Sequence, residues 1–265
     1  MASERIYGLH SVRALLARTP QRVLRLYIQH GRTDQRAVAI EILARDAGRP
    51  IERVDAARLR GWVGEVAHQG VVAEVVPLPP LSEDEFYTRL GEAPAPLVLA
   101  LDGVQDPHNL GACLRTADAC GVLALIVPRD RAATLNATAR KVAAGAAETT
   151  PVVTVTNLSR ALKLIRDAGL WIVGADALAT QRADQADLTG GRCLVLGAEG
   201  TGLRELTRRN CDWLVSLPSL GSVESLNVSV ATGMLLYEAL RQRRTAGSGP
   251  DPAQSPAQSR RQGRD

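Results

Sequence analysis

Residues 97–127 read LVLALDGVQDPHNLGACLRTADACGVLALIV. The run 97–101 is wholly apolar and ends at the polar turn 102–109, DGVQDPHN. Leu110, Cys113, Leu114 and Ala117 then recur at helical spacing, with Gly121 as a stop. A second apolar run, 122–127, follows. Strand, loop, helix and strand in this order form the repeating unit of a parallel sheet. Asn109 stands where a helix N-cap belongs. Arg115 lies about 100° around the helix from the apolar stripe.

The same unit recurs downstream. Further strand candidates are 151–155 (PVVTV), 170–175 (LWIVGA), 193–197 (CLVLG) and 213–217 (WLVSL). Short apolar runs separated by helical patterns predict a sheet buried on both faces. Ligands in such sheets gather outside the carboxyl ends of the strands. The loops after 101, 197 and 217 are therefore the places to look. The last of them leads into SVESLNVSVATGM, 222–234, and a helix in which Leu226, Val230, Gly233, Tyr237 and Leu240 recur at spacings of four and three. Ser225 can cap that helix, which leaves Asn227 and Ser229 as surplus polar residues in its first turn.

Upstream, residues 1–76 read as a small α/β unit. Val12, Leu15 and Leu16 suggest a helix, and Leu24, Leu26 and Ile28 alternate as in a strand. Ile40, Leu43, Ala44 and Ala47 follow helical spacing up to Gly48, and 71–76 is a second strand candidate. Residues 77–96 hold five prolines around the acidic cluster Glu83-Asp84-Glu85. Prolines stiffen a chain and cannot extend a sheet, so this stretch reads as a linker. The fold class expected is α/β: a small N-terminal unit over 1–76, a linker over 77–96 and a parallel-sheet domain over 97–244. Residues 245–265 contain no aliphatic side chain larger than Ala and read as a disordered basic tail.

Composition narrows the function. Of the 265 residues, 45% are hydrophobic but only 3% aromatic, so the core must be built from Ala, Val and Leu. The first residues lack the apolar run of a signal peptide and no stretch approaches a membrane span, so a cytoplasmic protein without membrane contact is expected. The four cysteines include no Cys-x-x-Cys pair, and no His pair has ligand spacing; buried free thiols and no metal are expected. The net charge of +4 is uneven. Residues 1–76 carry 12 Arg and 8 acidic residues, 77–240 carry 14 basic and 18 acidic, and 241–265 carry 6 Arg and 2 Asp. Basic ends make a polyanion partner an option.

The loop after 197, LGAEGTGL, places three glycines within six residues, which lets the backbone turn sharply and approach a ligand closely. It is neither a P-loop nor a dinucleotide fingerprint. Together the three loops present amides and glycines at one end of the sheet. Such a pocket suits an uncharged ring such as adenine, and a reaction that depends on positioning rather than on a covalent nucleophile.

These residues also carry a resemblance. Asn109-Leu110-Gly111 with Arg115, then Leu196-Gly197-Ala198-Glu199-Gly200, then Leu217-Pro218 with Ser225-Leu226-Asn227-Val228-Ser229-Val230-Ala231 resemble the three motifs of the SpoU (TrmH) methyltransferases, in the same order. Residues 6–16 (IYGLHSVRALL) and 68–75 (HQGVVAEV) resemble the N-terminal domain of the subgroup that 2′-O-methylates a guanosine in 23S ribosomal RNA. The resemblance implies a SPOUT-type parallel sheet with a C-terminal trefoil knot, a ribosomal-protein-like RNA-binding domain before it, and a homodimer. It implies S-adenosylmethionine as cofactor, with Gly197, Leu217 and Leu226 at the positions that contact it. Asn109, Arg115, Glu199, Ser225 and Asn227 match the functional positions, and 23S ribosomal RNA is the implied partner. A guanidinium stays protonated in proteins, so Arg115 suits a substrate phosphate better than the role of base. Transfer RNA as substrate, or a non-catalytic ribosome-assembly role, are the alternatives; the size of the N-terminal unit speaks against the first and the intact motif residues against the second.

Overall fold

The computed structural model describes residues 3–77, 80–219, 221 and 225–247. Two sheets organise the chain. The first has four strands: β1 (Glu4–Tyr7), β2 (Val23–Gln29), β3 (Ile51–Val54) and β4 (Val71–Val75), in the order β1-β4-β2-β3. Helices α1 (Leu9–Arg18), α2 (Gln35–Asp46) and α3 (Ala56–Val63) lie among them. Val12, Leu15 and Leu16 of α1 join Ile40 and Ala44 of α2 in one core with Leu26, Ile28 and Ala73. Leu24 departs from the expected alternation and is exposed, because the pairing of β2 with β4 shifts register between Val23 and Arg25. The extra residue of a bulge turns the following side chains over. The sequence reading also missed β1 and β3, whose short runs mix Arg and Glu with the apolar residues, and α3, which interleaves two Arg with them.

The second sheet is the parallel one expected. β5 (Leu97–Asp102), β6 (Ala124–Pro128), β7 (Val152–Val155), β8 (Trp171–Ala175), β9 (Arg192–Gly197) and β10 (Trp213–Val215) lie in the order β10-β8-β9-β5-β6-β7, every pair parallel. Leu97, Leu99 and Leu101 face one core and Val98 and Ala100 the other, which is why these strands are apolar throughout. The first core is covered by α5 (Pro107–Ala119), α6 (Ala137–Val142) and α9 (Val228–Thr245). The second is covered by α4 (Glu83–Glu92) and α7 (Leu158–Asp167), and the short α8 (Glu205–Arg209) packs beside α7. From β5 the chain winds outward to β7, then crosses to the other side for β8, β9 and β10. β5 and β9 are thus neighbours from which the chain leaves in opposite directions, the place where open α/β sheets form a crevice.

The stretch 77–96 is more than a linker. Ser82 and Glu85 form a reciprocal capping box that starts α4, and Phe86 and Leu90 are fully buried against the second core. The acidic cluster is the first turn of that helix, where negative charge is favoured. On α9 the residues read as the packing stripe face the wrong way. Val228, Thr232, Leu235, Leu236 and Ala239 are buried, while Val230 and Tyr237 are exposed. The helix is apolar on two faces, and periodicity alone did not tell which one meets the sheet. Of the tail, residues 248–265 lie outside the described residues.

The two sheets meet through a buried ion cluster. Glu148 accepts from Arg22 at 2.8 Å and from Arg140 at 2.8 Å, with the Glu148 side chain only 4% exposed. Arg22 also donates to the Val76 carbonyl. Gly145, in the left-handed conformation, lies close against Ala14 and His10 of α1, where a Cβ would collide. Replacing Glu148 with Gln would strand Arg22 as a buried cation. It should lower the unfolding free energy by about 3 kcal/mol, read from urea denaturation. An unchanged midpoint would show that the cluster does not hold the two sheets together.

Candidate active site

The described parts of the three loops singled out from the sequence lie together at the carboxyl ends of β5, β9 and β10; residues 220 and 222–224 of the third loop lie outside the described residues. Asp102 and Gly197 are partners at the last rung of the central ladder, so the first two loops leave the sheet side by side. Asp102 is 1% exposed. Its carboxylate accepts from the Arg204 amide at 2.9 Å and forms a close ion pair with the Arg204 guanidinium. Neither residue was picked out from the sequence. The signal available was an acid closing an otherwise apolar strand.

The glycine loop folds back on itself. Gly202 N donates to Ala198 O at 2.8 Å, and Gly200 and Gly202 both take positive φ. A Cβ at Gly197 would overlap the backbone of Gly202 and Leu203, so only glycine fits there. This hairpin sets the Glu199 carboxylate between the other two loops. Its Oε1 accepts from Asn109 Nδ2 at 3.1 Å and from the Val228 amide at 3.2 Å, and also from Asn227 Nδ2 in a close contact. Asn227 Nδ2 bonds Asn109 Oδ1 at 3.0 Å. One carboxylate oxygen therefore joins residues 109, 199 and 227.

Local chemistry explains why the asparagines stand there. Asp106, not Asn109, caps α5: its side chain accepts from the His108 amide, and Pro107 takes the first helical position. Asn109 is thereby freed, half-buried inside the first turn. Asn227, not Ser225, caps α9, accepting from the amides of Ser229 at 2.9 Å and Val230 at 3.4 Å. Its Oδ1 serves the helix while its Nδ2 serves Glu199. α5 and α9 are held in register by Cys113, whose Sγ lies 3.3 Å from Thr232 Oγ1 in the buried interface.

The remaining candidates are near but separate. Arg115 is exposed on α5 and makes no hydrogen bond or ion pair among the described residues. Ser225 is exposed and Leu226 half-buried, and neither has a hydrogen-bond partner among the described residues. Leu217 is half-buried against the first core. The strand before it is held by Ser216 N, which donates to Gln181 O at 2.8 Å.

The chain from 96 to 237 matches the model of the SpoU rRNA Methylase family. This chain belongs to that family. Residues 5–81 match a second model, RNA 2′-O ribose methyltransferase substrate binding. A relative from Pseudomonas aeruginosa, 23S rRNA (guanosine-2′-O-)-methyltransferase RlmB, is 54% identical over 91% of this chain and 97% of its own. The enzyme of that name from Photorhabdus laumondii is 50% identical over 91% of this chain and 99% of its own. Among solved structures, the SpoU methyltransferase AviRb from Streptomyces viridochromogenes in complex with AdoMet is similar with a TM-score of 0.73. It is 25% identical and covers 92% of this chain and 91% of its own. A TrmH/SpoU tRNA modifying enzyme from A. aeolicus is 31% identical with a TM-score of 0.54, and covers 67% of this chain and 92% of its own.

Two outcomes follow from this geometry. Asn227→Ala should cost about 1 kcal/mol through loss of the cap, whereas Asn227→Ser should recover most of it without restoring the amide bonded to Glu199; chemical denaturation of the two variants tests the split. Burial pushes the Cys113 thiol up to about 11 from an ordinary value of 9.0. Above pH 9 the unfolded chain therefore releases a proton that the folded chain keeps, and stability falls as pH rises toward 11. Cys113→Ala should flatten that decline; an unchanged slope between pH 9 and 11 would disprove the assignment.

Proposed function

We propose that the chain transfers a methyl group from S-adenosylmethionine to the ribose 2′-hydroxyl of a guanosine in 23S ribosomal RNA. The observation that carries this reading is the junction of Asn109, Glu199 and Asn227 at the crevice between β5 and β9, in a chain about half identical to enzymes named for that reaction. The tRNA-modifying neighbour covers 67% of this chain, whereas the ribosomal-RNA enzymes match 91% of it, the N-terminal unit included, which favours ribosomal over transfer RNA.

The residues present fit the cofactor. Leu217 and Leu226 offer half-buried apolar surface, and Gly197 brings backbone to the rim of the crevice. Uncharged backbone donors and acceptors with flanking leucines suit an adenine ring, and in our reading Gly197, Leu217 and Leu226 hold it. When bound, S-adenosylmethionine supplies a methyl group on a sulfonium, a strongly activated electrophile. The protein's share is then to position and to desolvate. Arg115, exposed and without a carboxylate partner among the described residues, binds a phosphate of the RNA. Asn109 orients the ribose through its remaining amide hydrogen, Asn227 holds Asn109 and Glu199 in place, and Ser225 lies at the edge of the same loop to touch the nucleotide. The ribose proton passes to Glu199 or to water, because the guanidinium remains charged.

Three broader features belong to the same reading. The N-terminal unit, 1–76, binds the RNA, joined through 77–96 to a catalytic domain over 97–244. The C-terminal chain forms a trefoil knot. Support for it comes from the segment 181–188, which brackets both the exit of β10 and the returning α9. Ala183 N donates to Ser216 O at 2.9 Å, Leu188 N to Gln242 Oε1 at 2.8 Å, and Gln242 Nε2 to Ala186 O at 3.0 Å. The working form is a homodimer, for which the exposed stripe of Val230, Met234 and Tyr237 on α9 provides an apolar surface. Among the described residues no helix is long and apolar enough to cross a membrane, and the cytoplasm is the proposed place of work.

The test maps ribose methylation in a strain lacking the gene. One guanosine mark in large-subunit RNA should vanish, return with the native gene and stay absent with an Arg115→Ala copy. In purified form Arg115→Ala should lose about 10²-fold in turnover with an unchanged unfolding midpoint. Loss of a transfer-RNA mark would overturn the substrate, and loss of no mark would overturn the activity.

A further inference from the structure

A groove lies between the edge of the parallel sheet and the N-terminal unit. It consists of two adjoining cavities of about 340 Å³ and 180 Å³ that share Leu135, Arg140, Ala147 and Glu148 as a common wall. The larger lies between α4, the carboxyl end of β6, the strand β7 from its start, and the segment 129–135. The smaller lies between β1 and α6, where the two sheets meet. One wall is tied directly to the catalytic end of the sheet: Ala133 N donates to Val104 O at 2.8 Å, in the loop that leads to Asn109. α6 packs tightly on α5 as well. A Cβ at Gly111, two residues after Asn109, would strike Ala139 and Val142.

The charges of the groove are uneven in availability. Its acids are occupied. Glu148 is held by Arg22 and Arg140, Glu4 stands 3.8 Å from Arg140, and Glu85 is spent on the Ser82 amide and hydroxyl. Its cations are not. Arg89, Arg129 and Lys141 line the groove, are exposed, and make no salt bridge among the described residues. At the far end Arg5 lines the smaller cavity with its guanidinium 4.7 Å from the ring centroid of Trp62. Neutralised acids and unpaired cations along a half-open channel form a surface complementary to a string of phosphates.

We propose that this groove is the track for the RNA strand between its methylated nucleotide and the N-terminal unit, with Arg89, Arg129 and Lys141 as phosphate contacts. The proposal rests on the function assigned above and adds the path of the substrate. It gives the Glu148 cluster a purpose beyond stability. By fixing the N-terminal unit against α6 it keeps both cavities in line, so that one strand can reach the catalytic loops and the N-terminal unit of the same chain.

The test uses the full-length protein with all three cations changed, Arg89→Ala, Arg129→Ala and Lys141→Ala. Arg140 is left intact because it holds Glu148. Two probes are compared: a large-subunit RNA fragment extending some twenty nucleotides to either side of the target, and a short oligonucleotide carrying the target alone. The triple variant should bind the long RNA at least tenfold more weakly. The slope of log affinity against log salt should fall by about 0.7 for each cation removed. Affinity for the short oligonucleotide, S-adenosylmethionine binding by calorimetry and the unfolding midpoint should stay as in the wild type. Unchanged affinity and salt slope on the long RNA would overturn the track. An equal loss on both RNAs would also overturn it, since the cations would then act at the catalytic end. If the wild type binds the long RNA but methylates nothing, the proposed function fails while the groove is still decided by the binding data.

Discussion

A single carboxylate oxygen joins the loops at the carboxyl end of the parallel sheet. Glu199 Oε1 takes hydrogen bonds from a side chain on α5, a side chain before α9 and the first amide of α9. The loops that meet there are separated by 90 residues in one direction and 28 in the other. An ionised carboxylate at the N-terminus of a helix meets a favourable dipole, and each of its bonds is charge-assisted. The anion therefore acts as a common acceptor that orders amide side chains on either side of it. Asn109 keeps one amide hydrogen free, whereas both amide hydrogens of Asn227 are spent on Glu199 and Asn109.

This arrangement works only because the backbone beneath it is rigid. Asp102, buried at the last rung of β5, anchors Arg204 on the far side of the glycine hairpin. Gly197, with no room for a Cβ, lets that hairpin close. Glu199 thus stands on a turn pinned at both ends. The two arginines near the crevice divide along the same line. Arg204 is tied to Asp102, while Arg115 forms no ion pair among the described residues.

Much of this was legible in the sequence, and the exceptions have physical reasons. Six apolar runs with helical patterns between them gave every strand of the parallel sheet, because strands buried on both faces have no polar side to confuse the pattern. The three loops followed from the rule that ligands gather at the carboxyl ends. The N-terminal unit was harder: β1 and β3 have one solvated face and interleave charges with apolar residues. Assigning caps also failed twice. Asp106 and Asn227 displaced Asn109 and Ser225, since several residues within three positions can all cap, and only the backbone's entry angle selects one. The bond between Asp102 and Arg204 spans 102 residues, a separation that periodicity does not encode.

The misread face of α9 follows the same logic one level higher. Leu235, Leu236 and Ala239 are buried by this chain's own sheet. Val230, Met234 and Tyr237 form an equally good apolar stripe that the described residues do not cover. A helix needs one such face to fold onto a sheet, and a second costs solubility unless something covers it. A second copy of the chain would cover it, and would do so beside the first turn of α9, where Asn227 meets Glu199. Under the proposed homodimer, the two-faced pattern that defeated the periodicity argument is itself what links assembly to the site. In that proposed dimer, the helix docking the partner would begin with the Asn227 cap that joins the three loops.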